Sequence, residues 1–362
     1  MILIKKTYFK EFLKILSFLK KKKSKTFFIK IENNIIKICY SGEIEIVYEE
    51  KIDVTEKKSF CIEYEYVENI VKKLKNDFYV KIDLENKNVS IKEEEFLFNS
   101  NCISKRKQDY INNIEKKNKL VNKVNLDSKV FMECVNSNSI LEKTFIVKKQ
   151  GINLFFNKEK INCFSTDGFR AIFYKRNTNF TNRKCNFFLN KELILFINKV
   201  IKERKYNNFF LEEFKKFISI NFCNLKIYSK ENFRKKSSYK EIPKIGKEYK
   251  KIRLNNKSFS DSIKRIDICN IKKDSKIMFS IKEKKIKLTF SNENILVKDA
   301  IKIEKYYENN KGINILLNFG YIKDFLNINK SLYLYLFFSD NKSMVYMCSK
   351  DLSLLYCFMP IN

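Results

Sequence analysis

Catalysis near neutral pH usually draws on histidine, and this chain of 362 residues has none. That removes the commonest general base and the commonest metal ligand. An enzyme built from this sequence would have to work with carboxylates, Lys, Tyr or Cys, a reading that ranks behind binding. Ten cysteines stand at positions 39, 61, 102, 134, 163, 185, 223, 269, 348 and 357, with no C-x-x-C pair among them. Most lie inside apolar runs such as Ile38-Cys39-Tyr40 and Tyr356-Cys357-Phe358. They read as reduced thiols acting as small core hydrophobes, neither a zinc site nor a disulfide framework. No metal and no other cofactor is expected.

What the residues do offer is charge. The chain carries 74 Lys+Arg against 42 Asp+Glu, a formal net charge of +32, spread as +7 over residues 1–120, +15 over 121–240 and +10 over 241–362. A positive surface present in every third of the chain suits a polyanion that touches all of it. Part of the excess reflects an A+T-rich coding bias, since Lys, Asn, Ile, Phe and Tyr crowd a chain with only two Ala, Ala171 and Ala300. The densest run is Lys20-Lys21-Lys22-Lys23-Ser24-Lys25. Ammonium groups grip phosphates without reading bases, so the run is a candidate backbone contact, with a solvated loop as the alternative.

Two further segments stand out. Thr166-Asp167-Gly168-Phe169-Arg170-Ala171 follows an apolar run and holds one of six glycines, and as a bare Asp-Gly turn it would be ordinary. The chain ends Tyr356-Cys357-Phe358-Met359-Pro360-Ile361-Asn362, and so apolar an end frays unless it packs on something.

The elements that must position these residues show self-similarity. An aliphatic residue followed five positions later by Phe and an amphipathic helix recurs at Ile4…Phe9, Leu126…Phe131 and Leu254…Phe259. A second trio of helices, Val67–Lys75, Glu192–Lys205 and Tyr321–Asn329, is expected about 60 residues after each. Hairpins are expected across Asn86-Lys87, Lys158-Glu159 and Asn341-Lys342, where β-branched and aromatic runs flank turn residues. The expected fold is α+β, three similar domains over 1–121, 122–243 and 244–362, each with two helices packed on antiparallel sheets. No apolar stretch reaches the ~18–20 residues a membrane span needs, and the chain reads as cytoplasmic.

With Thr166-Asp167-Gly168-x-Arg170 near the middle, Gly312–Asn329 near the end, and a terminal Met359-Pro360, the chain resembles the bacterial DNA polymerase III beta subunits, the sliding clamps. The resemblance implies the DNA clamp fold, a head-to-tail homodimer ring around double-stranded DNA, and a non-catalytic processivity role. Its partners would be the DNA polymerase III alpha subunit and the clamp loader complex. It implies DNA contacts from Lys10, Lys14, Lys20, Lys21, Lys22, Lys23, Lys25, Lys72, Lys73, Lys191, Lys199 and Lys202. It also implies a peptide-binding cleft of Thr166, Gly168, Phe169, Arg170, Ala171, Ile242, Cys357, Met359, Pro360 and Ile361, with Arg170 adding polar contacts. Phe96 and Phe98 match apolar ring-interface positions. The family's acidic run in its third domain is represented here only by Glu293 and Asp299 amid Lys298 and Lys302, so packing is expected to carry more of the closure. A basic nucleic-acid-binding protein that forms no ring is the alternative.

Overall fold

The computed structural model describes residues 2–19, 26–42, 44–54, 57–83, 88–101, 119–138, 151–178, 184–230, 245–268, 271–272, 274–307, 312–339 and 344–361. One order of elements runs through the chain three times. The first run is β1 (Ile2–Ile4), α1 (Lys6–Leu16), β2 (Thr26–Glu32), β3 (Ile35–Tyr40), β4 (Ile44–Lys51), β5 (Lys58–Glu63), α2 (Tyr64–Lys73), β6 (Phe78–Asp83), β7 (Asn88–Glu93) and β8 (Phe96–Asn101). The second is β9 (Leu120–Asp127), α3 (Ser128–Asn138), β10 (Gly151–Asn157), β11 (Lys160–Thr166), β12 (Arg170–Asn177), β13 (Cys185–Asn190), α4 (Lys191–Arg204), β14 (Asn208–Phe214), β15 (Ile218–Asn221) and β16 (Leu225–Ser229). The third is β17 (Lys250–Asn255), α5 (Asn256–Asp267), β18 (Lys276–Lys282), β19 (Lys285–Ser291), β20 (Leu296–Lys302), β22 (Ile313–Asn318), α6 (Phe319–Ile328), β23 (Tyr333–Phe338), β24 (Val345–Ser349) and β25 (Leu354–Phe358), with a two-residue β21 (Lys305–Tyr306) added.

The chain divides into two compact units, Met1–Phe131 with Glu192–Lys235, and Met132–Lys191 with Lys236–Asn362. The first unit holds an eight-stranded sheet, β5-β2-β3-β4-β16-β15-β14-β9, and a four-stranded one, β1-β6-β7-β8. The second holds a nine-stranded sheet, β13-β10-β11-β12-β25-β24-β23-β17-β21, and a four-stranded one, β20-β19-β18-β22. Every pairing is antiparallel, and each large sheet is joined across runs by one seam, β4 to β16 or β12 to β25.

The recurring aliphatic and Phe residues explain why the runs fold alike. Ile4, Leu126 and Leu254 point inward from their strands, all with 0% exposure, and Phe9, Phe131 and Phe259 descend from the helices above them to 2% exposure or less. In the first unit Phe9 meets Phe78 at 5.5 Å between ring centroids and Phe131 meets Phe209 edge-on at 5.3 Å. Each buried Phe removes enough apolar surface from water to contribute about 1.5–3 kcal/mol.

Three helix starts are capped by side chains. Asn255 and Asn318 accept hydrogen bonds from the Ser258 and Tyr321 amides at 3.0 and 3.1 Å, and Asp127 accepts from the Val130 amide at 3.0 Å. The cap at Asn318 starts α6 at Phe319, two residues before the expected Tyr321. Helix α2 begins at Tyr64 instead of Val67 because Tyr64 itself is buried against the sheet. Helix α4 stops at Arg204, where Lys205 adopts a left-handed φ of 54°.

Of the eight described cysteines, six are buried, Cys185 is half-buried and Cys223 is exposed, and all are free thiols. Cys223 departs from the core expectation because it lies in the turn joining β15 to β16. Burial pushes the Cys39 and Cys348 thiols up to about 12, which makes them inert packing groups.

Candidate functional site

Three features of the structure could bind partners: a loop against the C-terminal tail, lysines on helix faces, and two open sheet edges. The loop lies between β11 and β12. Gly168 turns it with a φ of +92°, a conformation that side-chain-bearing residues rarely adopt. The Asp167 carboxylate accepts from the Phe169 and Arg170 amides at 3.1 and 3.0 Å. The Thr166 hydroxyl donates to the Arg170 carbonyl at 2.8 Å and accepts from the Gly168 amide at 3.0 Å. The Thr-Asp-Gly sequence thus folds the turn with its own side chains.

Arg170 sits beneath that turn with its side chain 2% exposed. Its Nε donates to Asp167 Oδ2 at 2.9 Å, and its Nη1 donates to Asp324 Oδ2 at 2.6 Å and to the Tyr356 hydroxyl at 2.9 Å. The guanidinium also stacks 4.4 Å above the Tyr321 ring. Burial pushes the Tyr356 phenol well above the usual tyrosine range. Arg170 thus has an internal role, carried by Nε and Nη1, beside the polar contact to a bound peptide expected from the sequence. Arg170 ties the loop to α6 and β25, and its donors to Asp167, Asp324 and Tyr356 are occupied inside the protein.

The C-terminal tail runs beside the loop. The Met359 amide donates to the Phe169 carbonyl at 3.4 Å and the Ile361 amide to the Leu316 carbonyl at 2.8 Å, so the apolar end does pack. Phe169 and Met359, 55% and 51% exposed, hold apolar side chains in water on this paired backbone. Below them the sheet face is apolar, with Phe164, Phe173 and Cys357 buried and Ala171 packed against them. Thr166 and Gly168 are exposed, and Pro360 and Ile361 half-buried. Exposed anchors over an apolar floor can hold a short extended peptide by burying its large side chains. Ile242 lies outside the described residues.

The structure places Lys10, Lys14, Lys72, Lys73, Lys199 and Lys202 on exposed helix surface, and Lys191 half-buried at the start of α4. Lys14 is paired to Glu203 at 2.9 Å and Lys72 to Glu68 at 3.1 Å. Lys10, Lys73, Lys199 and Lys202 make no ion pair with the described residues. Lys20, Lys21, Lys22, Lys23 and Lys25 lie outside them.

The two edges are β8 and β20, each an outer strand of a four-stranded sheet whose other outer strand is β1 or β22. On β8, Phe96 and Leu97 are 44% and 58% exposed, while Phe98 is half-buried against Tyr66 at 5.3 Å. On β20, Leu296 is 59% exposed. Unpaired edges with exposed apolar side chains are ready templates for another strand.

Sequence reasoning gave no site role to Asp324, Tyr321 or Tyr356. Asp167 and Arg170 are three residues apart, a spacing that could have suggested their pairing. Nothing in the sequence marks Asp324, 154 residues from Arg170, as the second carboxylate.

No protein-family model matches the chain, and no curated protein matches it. Solved structures do, along the whole length. The DNA polymerase III subunit beta of Pseudomonas aeruginosa is 16% identical with a TM-score of 0.76, over 100% of this chain and 99% of its own. The DNA polymerase III beta chain of Streptococcus pneumoniae is 15% identical with a TM-score of 0.75, over 100% of both chains. The Helicobacter pylori beta clamp, solved in complex with diflunisal, is 16% identical with a TM-score of 0.76, over 100% of this chain and 99% of its own. From β1 to the C-terminal tail, the chain has the fold of the DNA polymerase III beta subunits, the DNA clamp fold.

Proposed function

We propose that this chain is a non-catalytic sliding clamp: two copies close head to tail around duplex DNA and tether the replicative DNA polymerase III to it. The observation that carries the reading is a seam left open. The third strand after the first helix of one run joins the last strand of the next run, as β4 joins β16 and β12 joins β25. The corresponding remaining strands are β20 and β8. Each is an outer strand of a four-stranded half sheet, and β8 of a second copy would complete an eight-stranded sheet on β20. A heterologous contact of this kind makes a ring when its rotation closes. In this reading the three runs are domains, 1–121, 122–243 and 244–362.

A ring holds DNA by topology, so its helices need only a diffuse positive field that locks to no phosphate register. Lys10, Lys73, Lys199 and Lys202 supply ammonium groups unneutralised by described neighbours. The Phe169 and Met359 cleft would take short peptides from the polymerase alpha subunit and the clamp loader.

The test combines mass and topology. Light scattering should give twice the chain mass of 43.6 kDa. Protein reassembled from monomers in the presence of a circular plasmid should stay bound through a high-salt wash and be released when a restriction enzyme linearises the DNA. Equal retention on both forms would indicate electrostatic binding without a ring.

A further inference from the structure

We infer, resting on the ring reading above, that the closing seam has one register and a charge lock in which Glu95 of one copy sits between Lys298 and Lys302 of the next. The register follows from the two finished seams. In each run a tight turn fixes the strand before the seam. Ile35, Lys160 and Lys285 occupy the same position, and their partners on the next strand are Lys51, Asn177 and Lys302. Counting back five residues makes Ile46, Ile172 and Val297 equivalent. On the other side, the closing strands start at Leu225, Leu354 and Phe96, so their third residues Ile227, Tyr356 and Phe98 correspond.

The finished seams pair Ile46 with Ile227 and Ile172 with Tyr356, and all four side chains are 0% exposed. The open seam should therefore pair Val297 with Phe98, which the single chain leaves half-buried. Lys298 then stands opposite Leu97, and Ala300 opposite Glu95, the turn residue that leads into β8, as Lys175 and Glu49 meet Ser353 and Asn224 just before the closing strands of the finished seams. Lys298, Ala300 and Lys302 alternate onto the solvent face of the sheet and are exposed, which places Glu95 diagonal to both lysines. Diagonal neighbours on one sheet face lie about 7–8 Å apart, within reach of long side chains.

The charges suit this arrangement. Lys302 faces Lys285 across β19 and β20, a like-charge pair that an incoming carboxylate would relieve. Lys298, Lys302 and Glu95 make no ion pair with the described residues. Asp299, the one acidic residue on β20, is already engaged by Ser262 at 2.6 Å and by Arg265 Nε at 2.9 Å in its own chain, so it has little to offer a partner. Charge therefore shares the closure with packing, which was expected to carry more of it. Charge complementarity is present with its signs exchanged: the carboxylate is on the first-run edge and the lysines are on the third-run edge.

The experiment measures the dimer dissociation constant by sedimentation equilibrium at several salt concentrations, for the full chain and three variants. Glu95→Lys, and Lys298→Glu with Lys302→Glu, should each weaken the dimer at least tenfold at low salt, since every dimer contains the seam twice. Combining the three changes should restore most of the affinity, and the unmodified dimer should weaken as salt rises. If the unmodified chain is a dimer and no variant shifts its dissociation constant by more than twofold, the charge lock is wrong and the ring reading stands. If the unmodified chain is monomeric at every concentration, the ring reading fails and the lock with it.

Discussion

Arg170 and Asp324, 154 residues apart in the chain, meet at 2.6 Å with the arginine side chain 2% exposed. Asp167 holds the same guanidinium, so Arg170→Ala would leave two carboxylates facing a lost counter-charge. Removing one partner of a buried ion pair typically costs about 3–5 kcal/mol. Urea unfolding should show a loss of that order, and Asp324→Asn a smaller one. Peptide affinity should fall only where the loop loosens. A variant that keeps full stability and loses peptide binding would place Arg170 in direct contact with the ligand.

Phe169 and Met359 make the opposite case. Both are more than half exposed, so replacing either with Ala should change unfolding by no more than about 0.5 kcal/mol. If they are the cleft's anchors, each change should weaken a polymerase-derived peptide about tenfold, ~1.4 kcal/mol. Fluorescence anisotropy with a labelled peptide measures this directly, and unchanged affinity would remove the residue from the cleft.

How much of this was legible in the sequence depends on the range of the interaction. The helices were visible because Phe9, Phe12 and Leu16 repeat at helical spacing over one buried face. The strand pairs β6–β7, β10–β11 and β23–β24 were visible because their pairing is local, with Asn86-Lys87 and Asn341-Lys342 themselves outside the described residues. The Thr166–Arg170 turn carries its own hydrogen-bonding side chains, so its shape is encoded within five residues. The seams are different. Ile172 and Tyr356 pair across 184 positions, and each looks like any inward residue of a β-strand. Asp324 likewise reads as one polar residue on a helix until the fold brings it to Arg170. That β8 and β20 are left without a seam partner emerges only once β4 and β12 have found β16 and β25.

The helix lysines should differ in their effect on DNA binding. Lys14 and Lys72 are paired to Glu203 and Glu68, whereas Lys10, Lys73, Lys199 and Lys202 face water without a described counter-charge. Each lysine that neutralises a phosphate contributes roughly 0.9 to the slope of log affinity against log salt. Ala at any of the unpaired four should flatten that slope by up to about this amount, and Ala at Lys14 or Lys72 should flatten it less. Salt titrations of binding to a short duplex separate the two groups.

Asp299 gives a pH-dependent prediction. Burial works against its charge, but the Ser262 hydroxyl, the Ala300 amide and Arg265 together hold its carboxyl below the usual Asp range. A carboxylate with a depressed native value adds stability that is fully present above the unfolded value and is lost as pH falls through the native one. Asp299→Asn should therefore be less stable than the unmodified protein at pH 7. The gap should narrow only below the ordinary Asp value of about 3.9. Thermal unfolding across that range measures it, and a gap independent of pH would show that the carboxylate's charge is not what stabilises the strand.

The seam register can be fixed covalently. With Val297→Cys and Phe98→Cys in one chain, directly opposed positions on an antiparallel pair place Cβ atoms about 4.5–5.5 Å apart, close to the 3.5–4.5 Å of a disulfide. Mild oxidation should give a covalent dimer on a non-reducing gel, above the background set by the unmodified chain and its own cysteines. When both seams close, that dimer should remain on a circular plasmid through denaturing washes. Pairing Val297→Cys with Leu97→Cys is the control, because a shift of one residue turns the second thiol to the other face of the sheet. Efficient linkage of the control and not of the first pair would move the register by one residue and displace Glu95 from between the two lysines.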